Sequence, residues 1–315
     1  MQFRLWKRMG MAVGFLPFST VGYSLSNTSE LTKDEDGTVI NKTASYAGDG
    51  GLQQVFAGVG FKVLDNLSIG ANISYIYGDI THSVTTAFSN SSSFSSVRLD
   101  KISINDYKLD FGLQYSYKFN KKHVLNFGAV YSLGHSVNGK GYKYNQKWLN
   151  GADYPSTQTG DTITNAFSLP HTFGAGLTYV YDNRLTIGAD FTYQQWEDAK
   201  FYNEKSYFSN RTKIAAGAEF VPNPYSRNYL KRVRYRVGGY YSDPYTKVDG
   251  QDGTREYGVS AGFGFPLFQS KSILNISGQY VRVSPKVKGM LEENYLKINI
   301  GLTFNERWFM KWKVD

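Results

Sequence analysis

The sequence predicts an all-β protein, an antiparallel transmembrane β-barrel with about twelve strands in this chain, forming a single domain over residues 1–315. Three observations predict it. Side chains alternate apolar and polar with a period of two over whole segments. Charge and glycine are confined to one of the two faces. Long and short connections follow one another along the chain.

Composition narrows the field first. Of 315 residues, 25 are Tyr, 21 Phe and 32 Gly, against 8 Pro and no Cys. This aromatic and glycine excess disfavours a helical protein. Mean hydropathy is −0.40, which fits a transmembrane barrel because only alternate residues of each strand face lipid. The longest apolar run, about Met9 to Phe18, is roughly half of the ~20 residues a membrane helix needs. Without cysteine there are no disulfides and no thiolate metal sites. The net charge of +9 is scattered over strand faces and turns. No basic helix or RNA-binding motif accompanies it, so nucleic acid is not an expected partner.

Lys7-Arg8 followed by Met9–Leu16 imitates the charged start and apolar middle of a signal peptide. No small-residue cleavage site follows, and Phe15–Phe18 runs into Val21–Leu25, so a strand is the favoured reading. A sequence lacking its true beginning is then expected.

Successive strand side chains point to opposite faces. From Tyr107 to Phe119 every odd position is apolar or aromatic and every even one is polar or glycine. Leu67–Tyr77 and Leu185–Tyr193 behave likewise. The same reading gives strands at Met9–Phe15, Val55–Phe61, Leu125–Leu133, Phe173–Tyr181, Ile214–Phe220, Val233–Tyr241, Tyr257–Phe265, Leu274–Tyr280 and Leu296–Phe304.

Alternation alone also describes a soluble sandwich or propeller. The apolar face, however, carries no charge in mid-strand, as a lipid face must when a midplane Lys or Arg costs roughly 2–4 kcal/mol. The polar face carries glycine with charges of both signs. Aromatics such as Tyr75, Tyr77, Tyr115 and Tyr117 gather at strand ends, as an interfacial girdle does. Long connections at 27–50, 80–104 and 138–164 alternate with tight turns at Asp65-Asn66, Asn120–Lys122 and Asp182-Asn183. The connection at Pro222–Pro224 is of middling length. An even strand count places both chain ends on the periplasmic side of a bacterial outer membrane.

Several segments carry a resemblance: MGMAVGFLPFSTVGY at 9–23, GGLQQVFAGVGFK at 50–62, LSIGANISY at 67–75, LPHTFGAGL at 169–177, AAGAEF at 215–220 and YLKINIGLTF at 295–304. Taken in order, they resemble the FadL-type family of long-chain fatty-acid and hydrocarbon transport proteins of the outer membrane. The resemblance implies a fourteen-stranded barrel with an N-terminal plug. This chain shows about twelve strands and no plug, as if the plug and two strands were missing, so no plug residue is carried over. The first strand here would match the family's third, which has an inward kink opening a lateral exit. Leu16 and Pro17 are the candidates for that kink, since Pro17 lacks a ladder donor. A proline at a rim or bulge is the alternative reading.

The polar face nominates Asn72, Lys108, Asp110, Gln114, Asp190, Glu219, Arg234, Arg236 and Lys297 as lumen-lining residues. Their charges can pair structurally or meet a substrate. No catalytic residue, metal site or cofactor is expected. His82, His123, His135 and His171 are dispersed without metal-ligand spacing and read as turn, loop or surface residues. His135 and Ser136 are strand neighbours that point apart. Asp34–Asp36 reads as a solvated loop cluster. Ala47–Gly51 lacks the residues of a phosphate or Ca²⁺ loop and reads as a flexible loop entering a strand. The expected function is passive uptake of small hydrophobic or amphipathic molecules by a non-enzymatic barrel in contact with outer-membrane lipid. The alternative is a scaffold or subunit of an outer-membrane secretion or assembly complex with protein partners. The aromatic and basic Trp308–Lys313 segment would serve as an interfacial anchor or a docking element.

Overall fold

The computed structural model describes residues 2–33, 36–90, 92–149, 157–201, 205–248, 250–267, 272–285 and 292–303. The strands are β1 (Gln2–Trp6), β2 (Met9–Lys33), β3 (Val39–Lys62), β4 (Leu67–Phe88), β5 (Phe94–Lys118) and β6 (His123–Ser132). There follow β7 (His135–Val137), β8 (Gly139–Leu149), β9 (Thr157–Thr164), β10 (Phe167–Leu169), β11 (Thr172–Tyr181) and β12 (Leu185–Gln194). The last are β13 (Arg211–Phe220), β14 (Arg234–Ser242), β15 (Lys247–Val248), β16 (Gln251–Asp252), β17 (Thr254–Pro266), β18 (Ile273–Pro285) and β19 (Glu293–Thr303).

Thirteen strands pair antiparallel in the order β1-β2-β3-β4-β5-β6-β11-β12-β13-β14-β17-β18-β19 and form the barrel wall. The twelve strands read from the alternation correspond to β2–β6, β11–β14 and β17–β19. β1 is additional, and its five residues are too short for a period to show. Among the described residues β1 pairs only with β2 and β19 only with β18, so these two are the edge strands of the sheet.

The apolar face is the outer one. Ile69, Ile73, Phe111, Leu113, Ile187 and Ile214 are all exposed large hydrophobics on it. The register ties the aromatic rims together: Tyr75 stands opposite Tyr107, and Phe173 lies between Tyr131 and Tyr193. At the other rim Tyr117 packs edge-on to Phe119 at 4.8 Å, and Tyr235 to Phe263 at 5.8 Å. Facing inward, by contrast, are glycines and polar side chains.

Three expected connections are largely strand instead. β2 to β5 run 25, 24, 22 and 25 residues, against the ~9–11 that cross a bilayer. Their outer halves, with β8 and β9, form a six-stranded sheet above the girdle in the order β2-β3-β4-β5-β8-β9. Hydroxyl pairs hold it across strands, Ser26 to Ser45 at 3.3 Å and Thr28 to Thr43 at 3.0 Å. Asp79 accepts from Lys101 at 2.8 Å and Ser103 at 2.6 Å, which hold its carboxyl below the usual carboxylate range. A strand wetted on both sides has no apolar period, so alternation could not reveal these extensions. The Ala47–Gly51 run likewise lies within β3 rather than in a loop.

If the apolar face meets lipid, Phe111→Lys should lower the unfolding free energy in vesicles by roughly 2–4 kcal/mol. Gly112→Ser, on the inner face of the same strand, should leave urea unfolding nearly unchanged.

Candidate functional site

Two irregularities bring the site together. The first is a transverse kink across β2, β3 and β4. The β2–β3 register shifts between Pro17 and Ser19, leaving Phe18 as a bulge. Beside it Gly50 and Gly78 take φ of +107° and +142°, in a region that disfavours side chains. A Cβ on Gly50 would strike the Asp79 carbonyl oxygen, and one on Gly78 the Gly51 carbonyl oxygen. Glycine is therefore required at both positions for three strands to bend together.

The second irregularity lies between β6 and β8, which follow one another along β5. The ladder leaves β5 after Leu133 N donates to Leu109 O (3.0 Å) and resumes where Asn105 N donates to Asn138 O (3.2 Å). Between them β7 departs to pair with β10. Asp106 anchors the departure, accepting from the backbone N–H of Tyr107 (2.7 Å) and of Asn138 (2.6 Å). His135 Nε2 lies 3.4 Å from the same carboxylate, with its ring stacked on Tyr107 at 4.7 Å. His171 Nδ1 accepts from Gly134 N–H at 3.2 Å and sits 2.8 Å from the Tyr131 hydroxyl. These histidines fasten the excursion, and His82 lines the cavity described next. All three are more specific in position than a reading of turn, loop or surface residues allows.

The excursion buries Val137, Ala166 and Leu169 against Leu52, Ile76, Ile102 and Ile104 of the wall. An apolar cluster thus fills part of the interior of a barrel whose inner face is otherwise polar. From the β12–β13 connection Trp196 joins it, 5.2 Å from Phe208, 5.1 Å from Tyr245 and 6.2 Å from Phe167 between ring centroids. Next to this cluster is a cavity of about 660 Å³. Its apolar side includes Phe18, Leu52, Ile80, Ile104, Phe167 and Trp196, and its polar side His82, Lys108, Ser132, Thr172, Gln194 and Arg211. No carboxylate is among its described lining residues. Lys108 pairs with Asp110, which also accepts from Ser132. Arg211 donates to Ser242 Oγ at 2.8 Å and lies 5.5 Å above the Tyr245 ring.

The ladder places the other polar candidates. Asp110, Ser132, Thr172, Gln194 and Arg211 stand opposite one another on successive strands. Asn72 faces Asp110. Gln114, Asp190, Glu219, Arg234, Arg236 and Lys297 share this inner face by register. They do not converge on one point. Glu219 holds Arg234 at 2.8 Å and Arg236 at 2.6 Å, and Arg236 reaches Asn275 at 2.7 Å. Gln114 and Asp190 line a separate opening of about 310 Å³. Lys297 lies over the Tyr295 ring at 5.7 Å. Of the candidates only Lys108 lines the larger cavity. Leu16 and Pro17 sit at the kink, with Pro17 opposite Gln53.

Sequence reasoning missed the apolar half of the site. A signal was present: Ile76, Ile102 and Ile104 are aliphatic at positions where the alternation calls for a polar residue. Among the described residues no group of three or more His, Asp or Glu could hold a metal ion. Trp308–Lys313 lies outside the described residues.

A lipid-facing antiparallel wall with a partly filled interior defines an outer-membrane β-barrel. The chain matches the BamG family over residues 1–315, and it belongs to that family. No curated protein matches it in sequence. Among solved structures it is similar in fold to CymD, a monoaromatic hydrocarbon channel, at 12% identity, covering 89% of this chain and 85% of that one with a TM-score of 0.52. A FadL homologue of Pseudomonas aeruginosa shares 14% identity over 94% of this chain and 88% of that one, TM-score 0.52. The toluene transporter TodX of Pseudomonas putida shares 15% over 96% and 88%, TM-score 0.51. At such identities the likeness is one of fold, and the fold is of the FadL type.

The kink can be tested apart from any ligand. Gly78→Ala, combining a φ of +142° with a backbone clash, should cost on the order of 1–3 kcal/mol. Gly128→Ala, with nothing within 4 Å of the added carbon, should stay within ~0.5 kcal/mol in the same urea titration.

Proposed function

We propose that this barrel takes up small amphipathic molecules across the outer membrane by diffusion through its partly filled interior. The observation that carries the reading is the cavity, with aliphatic and aromatic side chains on one side and Lys108 and Arg211 on the other. Pockets for small molecules have this composition, apolar walls with a few placed polar groups. Lys108 and Arg211, with no carboxylate among the described lining residues, favour a molecule with an apolar body and an anionic or strongly polar end. The polar inner-face residues, Asn72 to Lys297, would line the lumen below it. The bulge at Phe18, next to Leu16 and Pro17, adjoins the cavity and offers a lateral route to the bilayer. Solved barrels of this fold include a toluene transporter and a hydrocarbon channel, so the fold is compatible with such traffic.

A second reading, a barrel that serves as a scaffold or subunit of a secretion or assembly complex, is favoured by the tall sheet formed by β2–β5, β8 and β9. A deletion strain separates the two. Normal uptake of fatty acids and hydrocarbons together with failed export of other proteins would reject transport.

Binding is tested directly with a dansyl-labelled undecanoate and the full chain in nanodiscs. Lys108→Met combined with Arg211→Met should weaken it by tenfold or more, since each charge-assisted hydrogen bond contributes about 1.5–3 kcal/mol. Unchanged affinity, or no binding by the unaltered protein, would remove the reading.

A further inference from the structure

At one rim the wall turns back through the connections β1–β2, β3–β4, β5–β6, β11–β12 and β13–β14, all of them described in full. Hydrogen bonds tie these into a single arc. Lys62 N–H donates to Arg8 O at 2.8 Å, Ser116 N–H to Asn66 O at 2.8 Å, Asp182 N–H to Lys122 O at 2.7 Å and Val221 N–H to Arg184 O at 2.7 Å. The side of the short connections is the periplasmic side of an outer-membrane barrel.

The chain has 35 Lys and Arg and 26 Asp and Glu. Residues 4–8, 62–66, 118–122, 182–184 and 221–233 hold eleven of the first and two of the second, which leaves 24 of each sign elsewhere. The net charge of +9, dispersed along the sequence, is thus gathered by the fold on this arc. Lys62 and Arg184 meet the two carboxylates, Asp65 at 3.3 Å and Asp182 at 3.5 Å. Among the described residues no carboxylate is in ion-pair contact with Lys7, Arg8, Lys118, Lys121, Lys122, Arg227 or Lys231, all of them exposed. The opposite rim differs: there Arg98, Lys101, Lys205 and Arg282 each hold a carboxylate.

Bulky apolar side chains share the same turns. Trp6 is 71% exposed, Phe119 60%, Tyr225 90% and Leu230 64%, and each stands within two residues of one of those cations. Interfacial aromatics lie at the level of lipid headgroups, which places the neighbouring cations at the level of phosphate. A protein partner would meet the arc from one side. Cations and apolar side chains that recur from β1–β2 to β13–β14 fit a ligand present all along the wall, and that ligand is lipid.

We propose that this rim binds anionic glycerophospholipids of the periplasmic leaflet. Their phosphates are drawn to the lysines and arginines, while Trp6, Phe119 and Tyr225 rest at the base of the headgroups. Zwitterionic lipids carry an amine that offsets the phosphate and compete poorly. The densest charge is at β5–β6, where Lys118, Lys121 and Lys122 flank Phe119 in sequence and the bond from Asp182 to Lys122 O brings in Arg184. The inference is independent of the cavity and of what the barrel carries.

The test uses the full chain with an environment-sensitive fluorophore on Leu64→Cys, in the turn whose Asn66 O is bonded to Ser116. The vesicles are phosphatidylcholine with a minor share of phosphatidylglycerol, brominated on one lipid or the other. Quenching should show phosphatidylglycerol enriched about threefold or more over its bulk share, as clustered cations near a surface require. Lys118→Gln with Lys121→Gln and Lys122→Gln should bring the enrichment close to one. So should about 1 M NaCl, where the screening length is about 3 Å. Lys140→Gln with Lys147→Gln, on β8 at the opposite rim, should leave it unchanged. Bulk composition around the unaltered protein overturns the proposal and leaves the charge for an acidic protein; enrichment that survives both the triple variant and salt also overturns it. Lys121→Gln with Lys122→Gln, together with the salt titration of the unaltered protein, supplies the measurement if the triple variant lacks the gel mobility of a folded barrel.

Discussion

The structure depends on one constraint: in hydrocarbon every backbone N–H and C=O must find a partner within the protein. An unmet group costs several kcal/mol there, which leaves helices and barrels as the spanning solutions. No helix of the described residues is long and apolar enough to cross a membrane, and the antiparallel ladder supplies the partners instead. The ladder fixes the side-chain period at two, so each wall strand must offer one face to lipid and the other to the interior. The uncharged row of Leu109, Phe111 and Leu113, between Lys108, Asp110 and Gln114, is the chemical consequence. A register slip of one residue would turn that charge outward into the bilayer.

The departures from the ladder are where the interior acquires shape. A regular barrel lined by glycine and polar residues would be an open conduit. The β7–β10 excursion and the kink at Phe18, Gly50 and Gly78 bring aliphatic and aromatic side chains to the inner face, and they do so beside each other. Both rest on groups with no freedom to vary: glycines at positive φ, and a carboxylate, Asp106, that satisfies two backbone donors at the point where the wall opens. Such irregularities cost ladder hydrogen bonds and are tolerated in membrane barrels where they line an internal space. Their coincidence with the largely apolar side of the cavity ties the geometry of the wall to what the barrel can hold.

Much of the fold was legible because the bilayer leaves a mark on every second residue. Tyr107–Phe119 and Leu67–Tyr77 could be placed from their alternation alone, and the pairing of β4 with β5 follows it. The extensions of β2 to β5 were not legible. Segments such as Leu25–Thr32 or Thr81–Thr86 are wetted on both faces, so hydroxyl-rich strand and loop look the same in sequence. The site was half legible. Lys108 was nominated from the polar face, whereas Trp196, Phe208 and Tyr245 lie in connections where no period operates. Ile76, Ile102 and Ile104 did break the pattern, but an aliphatic residue on the inner face becomes informative only once β7 is known to fold against it.

The orientation of the two faces can be measured most directly by single-cysteine labelling, since the chain has no cysteine of its own. Cysteines at Leu109, Phe111 and Leu113 carry an environment-sensitive fluorophore, and others replace Gly112, Gln114 and Gly128. In vesicles made with brominated lipids the first set should be strongly quenched and the second set should react with a water-soluble maleimide. Quenching at Gly112 and Gln114, with Phe111 shielded from lipid, would contradict the account.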